Sequence, residues 1–223
     1  MIKLIVLDVD GTLTDKIRKI SLDAIENIRK AISNNIVVSL VSGNVIPVMF
    51  GLKTYIGING PVFGENGGIM LNDSKITPFF DKTLPEQFLN EISKTTSARE
   101  MFTNKWRETS VAFTMDEEDI KTVLKKASES GLYIVDSKFA WHIMNKGQNK
   151  AFAVEHLKKL YGINNSDILV IGDSDNDLNM FELDVHKASP SNASQNIKNL
   201  SEYVSKYPYG SEIVDIFEYY NVI

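Results

Sequence analysis

The chain predicts an α/β fold: a parallel sheet with helices on both faces, plus an inserted α+β unit with an antiparallel sheet. Three observations carry that expectation. Nearly continuous apolar runs of strand length lie at residues 2–7, 36–41 and 168–171, the pattern of strands buried on both faces. Helical segments alternate with these runs, which implies parallel pairing through right-handed crossovers. Between about residues 81 and 148 the alternation stops, and two strand-like runs there are joined by a tight turn.

A chain of 223 residues holds one large domain or two smaller ones and buries a core without staples. It has 24 Lys+Arg against 29 Asp+Glu, so no basic bias points to nucleic acid. There is no cysteine, which excludes disulfides, a thiol nucleophile and cysteine-ligated zinc. His142, His156 and His186 are far apart in the sequence and in no ligand spacing. No apolar run reaches the roughly twenty residues of a membrane span. The start of the chain has no signal-peptide pattern. A cytoplasmic protein, monomer or homodimer, is the expectation.

Residues 2–7 read as a strand, and Thr14 to Ile20 as a polar connection. Ser21 reads as the N-cap of a helix carrying Leu22, Ile25, Ile28 and Ile32, with Asp23 in its first turn. Residues 36–41 form the next strand and end at Ser42-Gly43-Asn44. Asn44 reads as an N-cap and Pro47 as a first-turn residue of a helix running to about Tyr55. Residues 62–65 read as a short strand. Asn66-Gly67-Gly68 is a turn signal before Ile69-Met70-Leu71.

After Asp81 the texture changes. Pro85 to Ser93 reads as a helix, and Trp106 to Met115 alternates polar and apolar residues. Glu117 to Ser130 is an amphipathic helix closed by Gly131. Leu132 to Val135 and Phe139 to Met144 read as strands around the turn Asp136-Ser137-Lys138. From Lys150 the βα alternation returns. A helix covers Ala151 to Tyr161, a strand 168–171 and a helix Leu178 to Leu183. Weaker strands are expected at 185–188 and 203–204, and a last helix at Glu212 to Tyr220. The expected division is 1–80 core, 81–148 inserted unit, 149–223 core.

Three strand ends carry polar chemistry: Asp8/Asp10, Ser42-Gly43 and Asp173/Asp177. A parallel sheet puts all three on one edge, where open α/β sheets bind ligands. Carboxylates converging there raise one another's pKa and call for a cation. Oxygen-only donors favour Mg²⁺ over zinc. Magnesium completes its shell with water and phosphate oxygens. Ser42 offers a hydroxyl, Gly43 an approachable backbone N–H, and Lys150 a cation at a helix start that a bound phosphate would favour. Each piece alone has an ordinary explanation: a turn, a cap, a surface lysine. The run from Asp173 departs from a calcium loop, because Leu178 stands where the invariant glycine belongs.

Asp8-Val9-Asp10-Gly11-Thr12-Leu13-Thr14, Ser42, Lys150 and Gly172-Asp173-Ser174-Asp175-Asn176-Asp177 together resemble the four motifs of the haloacid dehalogenase-like (HAD) phosphatases. The resemblance covers both ends of the chain. It implies a Rossmann-like core with an inserted cap. Ser42 and Lys150 lie about a hundred residues apart and the cap falls between them, which resembles the C2-capped branch and, within it, archaeal phosphoglycolate phosphatases. Ser42-Gly43-Asn44 departs from the Thr-Gly-Arg of many relatives.

The resemblance implies that Asp8 is the nucleophile and Asp10 the acid–base. It implies that Asp8, the Asp10 carbonyl, Asp173 and Asp177 hold Mg²⁺, and that Ser42, Gly43, Lys150 and Asn176 bind phosphate. The implied substrate is a small phosphorylated metabolite, 2-phosphoglycolate foremost, with sugar phosphates as the near alternative. Trp106, Arg107, Trp141 and His142 are the cap candidates for specificity, and Arg107 suits a substrate carboxylate. A phospho-accepting receiver module also places acids and a lysine at a sheet edge, but it is much shorter and lacks a cap-sized insertion.

Overall fold

The computed structural model describes residues 1–137 and 140–223. Lys138 of the expected turn and Phe139 of the expected strand lie outside the described residues.

The first half of the core runs β1 (Leu4–Leu7), α1 (Leu22–Ser33), β2 (Val37–Val41), α2 (Ile46–Ile56), β3 (Val62–Gly64), β4 (Ile69–Asn72) and β5 (Lys75–Pro78). A second block follows: α3 (Thr83–Ile92), β6 (Arg99–Glu100), β7 (Ser110–Thr114), α4 (Ile120–Glu129), β8 (Leu132–Asp136) and β9 (Trp141–Asn145). The core then resumes with α5 (Lys150–Tyr161), β10 (Ile168–Ile171), α6 (Leu178–Phe181), β11 (His186–Ser189), α7 (Gln195–Leu200), β12 (Tyr203–Val204) and α8 (Glu212–Tyr219).

The large sheet has the order β12-β11-β10-β1-β2-β3-β4-β5. It is parallel from β12 to β3, and β4 and β5 add an antiparallel edge. Every residue of β1 and β10 is buried, because both faces are covered. Ile5, Leu7, Leu169 and Ile171 belong to one core cluster with α1 and α8, while Leu4, Val6, Ile168 and Val170 belong to another with α5 and α6. The two-residue side-chain period of a strand distributes each run between both layers. That is why the sequence shows no polar alternation.

The second sheet has the order β6-β7-β9-β8 and is antiparallel throughout. One face packs Val111, Phe113 and Ile143 against Phe88 and Ile92 of α3 and Val123 and Ala127 of α4. The expected α/β core with a separate α+β unit is therefore the architecture found.

Some local readings differ. The N-cap of α2 is Val45, with no side-chain cap bond. Asn44 is drawn away because its amide serves two partners at the sheet edge, described below. Within the alternating segment 106–115 the strand is confined to Ser110–Thr114, and Phe102–Trp106 is a 3₁₀ turn. β5 and α7 were not read from the sequence; β5 is short and largely exposed, so it lacks the apolar pattern of the inner strands.

Candidate active site

The parallel sheet fixes where the functional side chains stand. β1 lies between β2 and β10, with Leu7 opposite Leu40 on one side and Ile171 on the other. The Asp8 N–H donates to Ile171 O at 2.9 Å, and the Ser42 N–H to Phe63 O at 3.0 Å. The ladder thus holds Asp8 and Ser42 just past their strand ends.

The chain then turns at Gly11, whose φ is +92°. A Cβ there would lie 2.5 Å from Asp173 Oδ2, so the missing side chain leaves room for the acid from β10. Thr12 Oγ1 donates to Asp173 Oδ1 at 3.4 Å. Asp8, Asp173 and Asp177 form the one cluster of possible metal-ligating acids found among the described residues, with ligand atoms within 4.8 Å of one another.

Lys150 enters this cluster from the first turn of α5, which Asn149 caps by accepting from the Phe152 N–H at 3.0 Å. Its Nζ stands 2.5 Å from both Asp8 Oδ1 and Asp177 Oδ1, and the side chain is 2% exposed. A lysine at a helix start needs an anion to offset the dipole, and these two carboxylates supply it. Asp177 Oδ2 accepts from the Asp173 and Ser174 N–H groups at 3.0 and 2.9 Å. Asp177 therefore binds the lysine with one oxygen and clips its own loop with the other. Burial pushes the Asp8 carboxyl well above its usual range; Lys150 opposes this, while Asp177 and Asp173 add to it. Mutual repulsion, the cause expected from the sequence, is thus secondary to desolvation. Lys150 is held above its ordinary value by Asp177 and Asp8 despite burial, so it stays charged.

Asp10 points elsewhere. Its Oδ2 accepts from Asn44 Nδ2 at 2.7 Å, and its Oδ1 pairs with Arg18 Nε at 3.5 Å. The same Asn44 amide lies 2.9 Å from Ser42 Oγ. Sequence reading gave Asn44 to helix capping and missed this bridge, although its departure from the usual arginine marked the position. Asn176 donates to Asn66 Oδ1 at 2.9 Å.

A cleft of about 360 Å³ opens over this edge. Of the residues expected from the sequence, Asp8, Asp10, Ser42, Gly43, Lys150, Asp173 and Asn176 line it from the core, and Arg107, in the connection before β7, and His142, on β9, line it from the second unit. Asp177 does not, since it lies fully buried behind Lys150. Trp141 does not either. It neighbours His142 on β9, so the strand period turns it to the opposite face, where it packs on the α3–α4 cluster. Trp106 is 41% exposed and meets Phe102 edge-on. His142 shares its face with Ala112, its partner on β7, which also lines the cleft.

From the sequence, Glu65-Asn66-Gly67-Gly68 resembles the C2-capped branch, but Glu65 has no role of its own there. It is fully buried with φ +52°. Its carboxylate accepts from the N–H groups of Glu108 and Thr109 and from the hydroxyls of Thr109 and Ser110, at 2.7–3.1 Å. Arg107 Nη2 donates to Gly43 O at 3.1 Å. The second unit is thus fastened to the core beside Ser42-Gly43.

The chain matches the haloacid dehalogenase-like hydrolase family over residues 5–104 and 103–212. It is 56% identical to a phosphoglycolate phosphatase of Thermoplasma volcanium, over the whole of both chains. It is 52% identical to a phosphoglycolate phosphatase of Picrophilus torridus, covering all of this chain and 93% of that one. A crystal structure of a Thermoplasma acidophilum protein, 53% identical, superposes with a TM-score of 0.98 over the whole of both chains. The chain belongs to the haloacid dehalogenase-like hydrolases. Within that family it is a phosphatase.

Proposed function

We propose that the chain is a Mg²⁺-dependent phosphomonoesterase that forms an aspartyl-phosphate on Asp8 and acts on a small phosphorylated acid, 2-phosphoglycolate foremost. The names of the relatives support the substrate. The observation that carries the chemistry is the buried Asp8–Lys150–Asp177 network beside Asp173, at the open edge of a parallel sheet.

The donors fit a hard ion: the cluster is all carboxylate, and Gly11 opens space beside the Asp173 carboxylate. Asp8, Asp173 and the Asp10 main-chain carbonyl would hold Mg²⁺, with Asp177 behind them. The ion would neutralise charge on the bound phosphate.

The remaining steps belong to the chain. Lys150, Ser42 Oγ, the Gly43 N–H and Asn176 receive the non-bridging phosphate oxygens, where the transition state spreads its charge. A carboxylate oxygen of Asp8 attacks phosphorus, and the bond to the ester oxygen breaks. Asp10, held by Asn44, gives its proton to the departing alcohol oxygen. It then takes a proton from the water that attacks the phosphorus of the aspartyl-phosphate, returning Asp8 as a carboxylate and releasing phosphate. The unit 81–148 acts as a C2-type cap that shields these steps and selects the alcohol.

Phosphate release from a panel of esters with Mg²⁺ and with EDTA tests this reading. Asp8→Asn is expected to lose turnover while keeping its circular dichroism and melting transition. Near-normal activity in that variant, or activity indifferent to EDTA, would refute it.

A further inference from the structure

We propose that Arg107 and His142 form a subsite on the cap wall of the cleft that receives the carboxylate of a two-carbon phosphorylated acid. This rests on the phosphatase reading and adds the group that reads the rest of the substrate.

Arg107 is 5% exposed, yet its direct partners are neutral: Nη1 donates to Ser110 Oγ at 3.0 Å and Nη2 to Gly43 O at 3.1 Å. Its buried Nε–H has no partner among the described residues. Glu65 acts on Arg107 electrostatically, but its carboxylate is already occupied by donors from Glu108, Thr109 and Ser110. A buried cation bonded only to neutral groups is costly, and an arriving anion recovers that cost.

His142 lies on the same wall. It is 4% exposed, and its Nδ1 is buried without a partner among the described residues. Its Nε2 lies 3.0 Å from Ser137 Oγ. Burial, with Arg107 adding to it, lowers its pKa to about 3, so the ring enters the reaction neutral. The Ser137 hydroxyl lies within reach of both Ala140 O, at 2.9 Å, and His142 Nε2, and Ala140 O also accepts from the Ser137 N–H; with the hydroxyl turned to Nε2, the ring carries its proton on Nδ1 and donates from the wall.

Position selects a short substrate. Arg107 is bonded to Gly43, the residue whose N–H faces the phosphate in the proposed reaction. A carboxylate one methylene from the ester oxygen reaches a guanidinium held there. The uncharged hydroxyls of a sugar phosphate give it no charge to pair.

The test compares kcat/KM for 2-phosphoglycolate with that for ethyl phosphate, which has the same two-carbon ester and no carboxylate. The wild-type enzyme is expected to prefer 2-phosphoglycolate by about 30-fold or more. Arg107→Gln is expected to bring that ratio to near unity, His142→Phe to lower it about tenfold, and Arg107→Lys to retain part of it. Equal wild-type values for the two esters overturn the subsite even if no variant folds. An unchanged ratio in soluble Arg107→Gln overturns it too, as does an equal fall on both esters, which would place the guanidinium on the phosphate. Hydrolysis of neither ester in Mg²⁺, with other phosphate esters of the panel turned over, overturns the proposed substrate instead.

Discussion

Replacing Lys150 by methionine removes the one internal cation from a buried cluster of acids while keeping most of the side-chain volume. Lys150 Nζ is 2.5 Å from an oxygen of Asp8 and of Asp177, and all three side chains are at most 5% exposed. Breaking a buried pair by removing one partner costs about 3–5 kcal/mol, since the orphaned charge stays desolvated. For a chain of this size each kcal/mol shifts the melting temperature by about 2–4 °C, so a fall of about 6–20 °C is expected in EDTA. The effect has a defined pH sign. Without Lys150 the folded-state pKa of Asp8, already raised by burial, rises further above its unfolded value. A group raised in this way contributes its stability below the unfolded pKa and loses it as pH rises through the folded one. The deficit relative to wild type is therefore larger at pH 8 than at pH 5. Differential scanning calorimetry at both values reads it. Turnover of 2-phosphoglycolate is expected to fall by about 10²–10³ through loss of charge stabilisation at the phosphate. A melting temperature within about 2 °C of wild type at pH 8 would refute the buried-network argument.

Other perturbations reach the same machinery from different sides. Glu65→Ala orphans the Glu108 and Thr109 N–H groups and two hydroxyls, a loss of about 2–4 kcal/mol. A larger gain in hydrogen exchange at 108–110 than at 111–114 of β7 checks it, and unaltered exchange contradicts it. Gly11→Ala combines a φ of +92° with a Cβ placed 2.5 Å from Asp173 Oδ2. The Mg²⁺ concentration for half-maximal activity should rise about tenfold or more, and an unchanged titration removes Asp173 from the site. Burial pushes Glu212 up to about 8 from an ordinary 4.5. Its contribution is therefore complete below about pH 4.5 and lost as pH rises through about 8, amounting to about 3 kcal/mol by pH 7. Glu212→Gln should flatten that slope in urea unfolding at pH 5, 7 and 9, and an unaltered slope rejects the assignment.

Strand interiors were legible in the sequence because burial on both faces demands continuous apolar residues, as in β1 and β10. The motif acids were legible because parallel strands end on one edge. β5 left little signal, since its exposed residues select no pattern. Asn44 was misread because a capping asparagine and a bridging one look alike until a partner is placed across the sheet edge. That partner, Asp10, is 34 positions away.

By itself, then, the sequence determined the doubly covered sheet, the edge carrying Asp8, Ser42, Lys150 and Asp173, and the interruption of the βα alternation. These follow from local apolar periods and strand-end chemistry, which neighbouring residues define. Only the tertiary structure decided which alternating residues of β9 meet the cleft, and that Asp177 clips Lys150 while Asn44 holds Asp10. It also decided that Glu65 and Arg107 fasten the second unit beside Ser42-Gly43. Those facts depend on distances between residues 27 to 142 positions apart. The balance of burial and charge at each of them exists only once the chain has closed on itself.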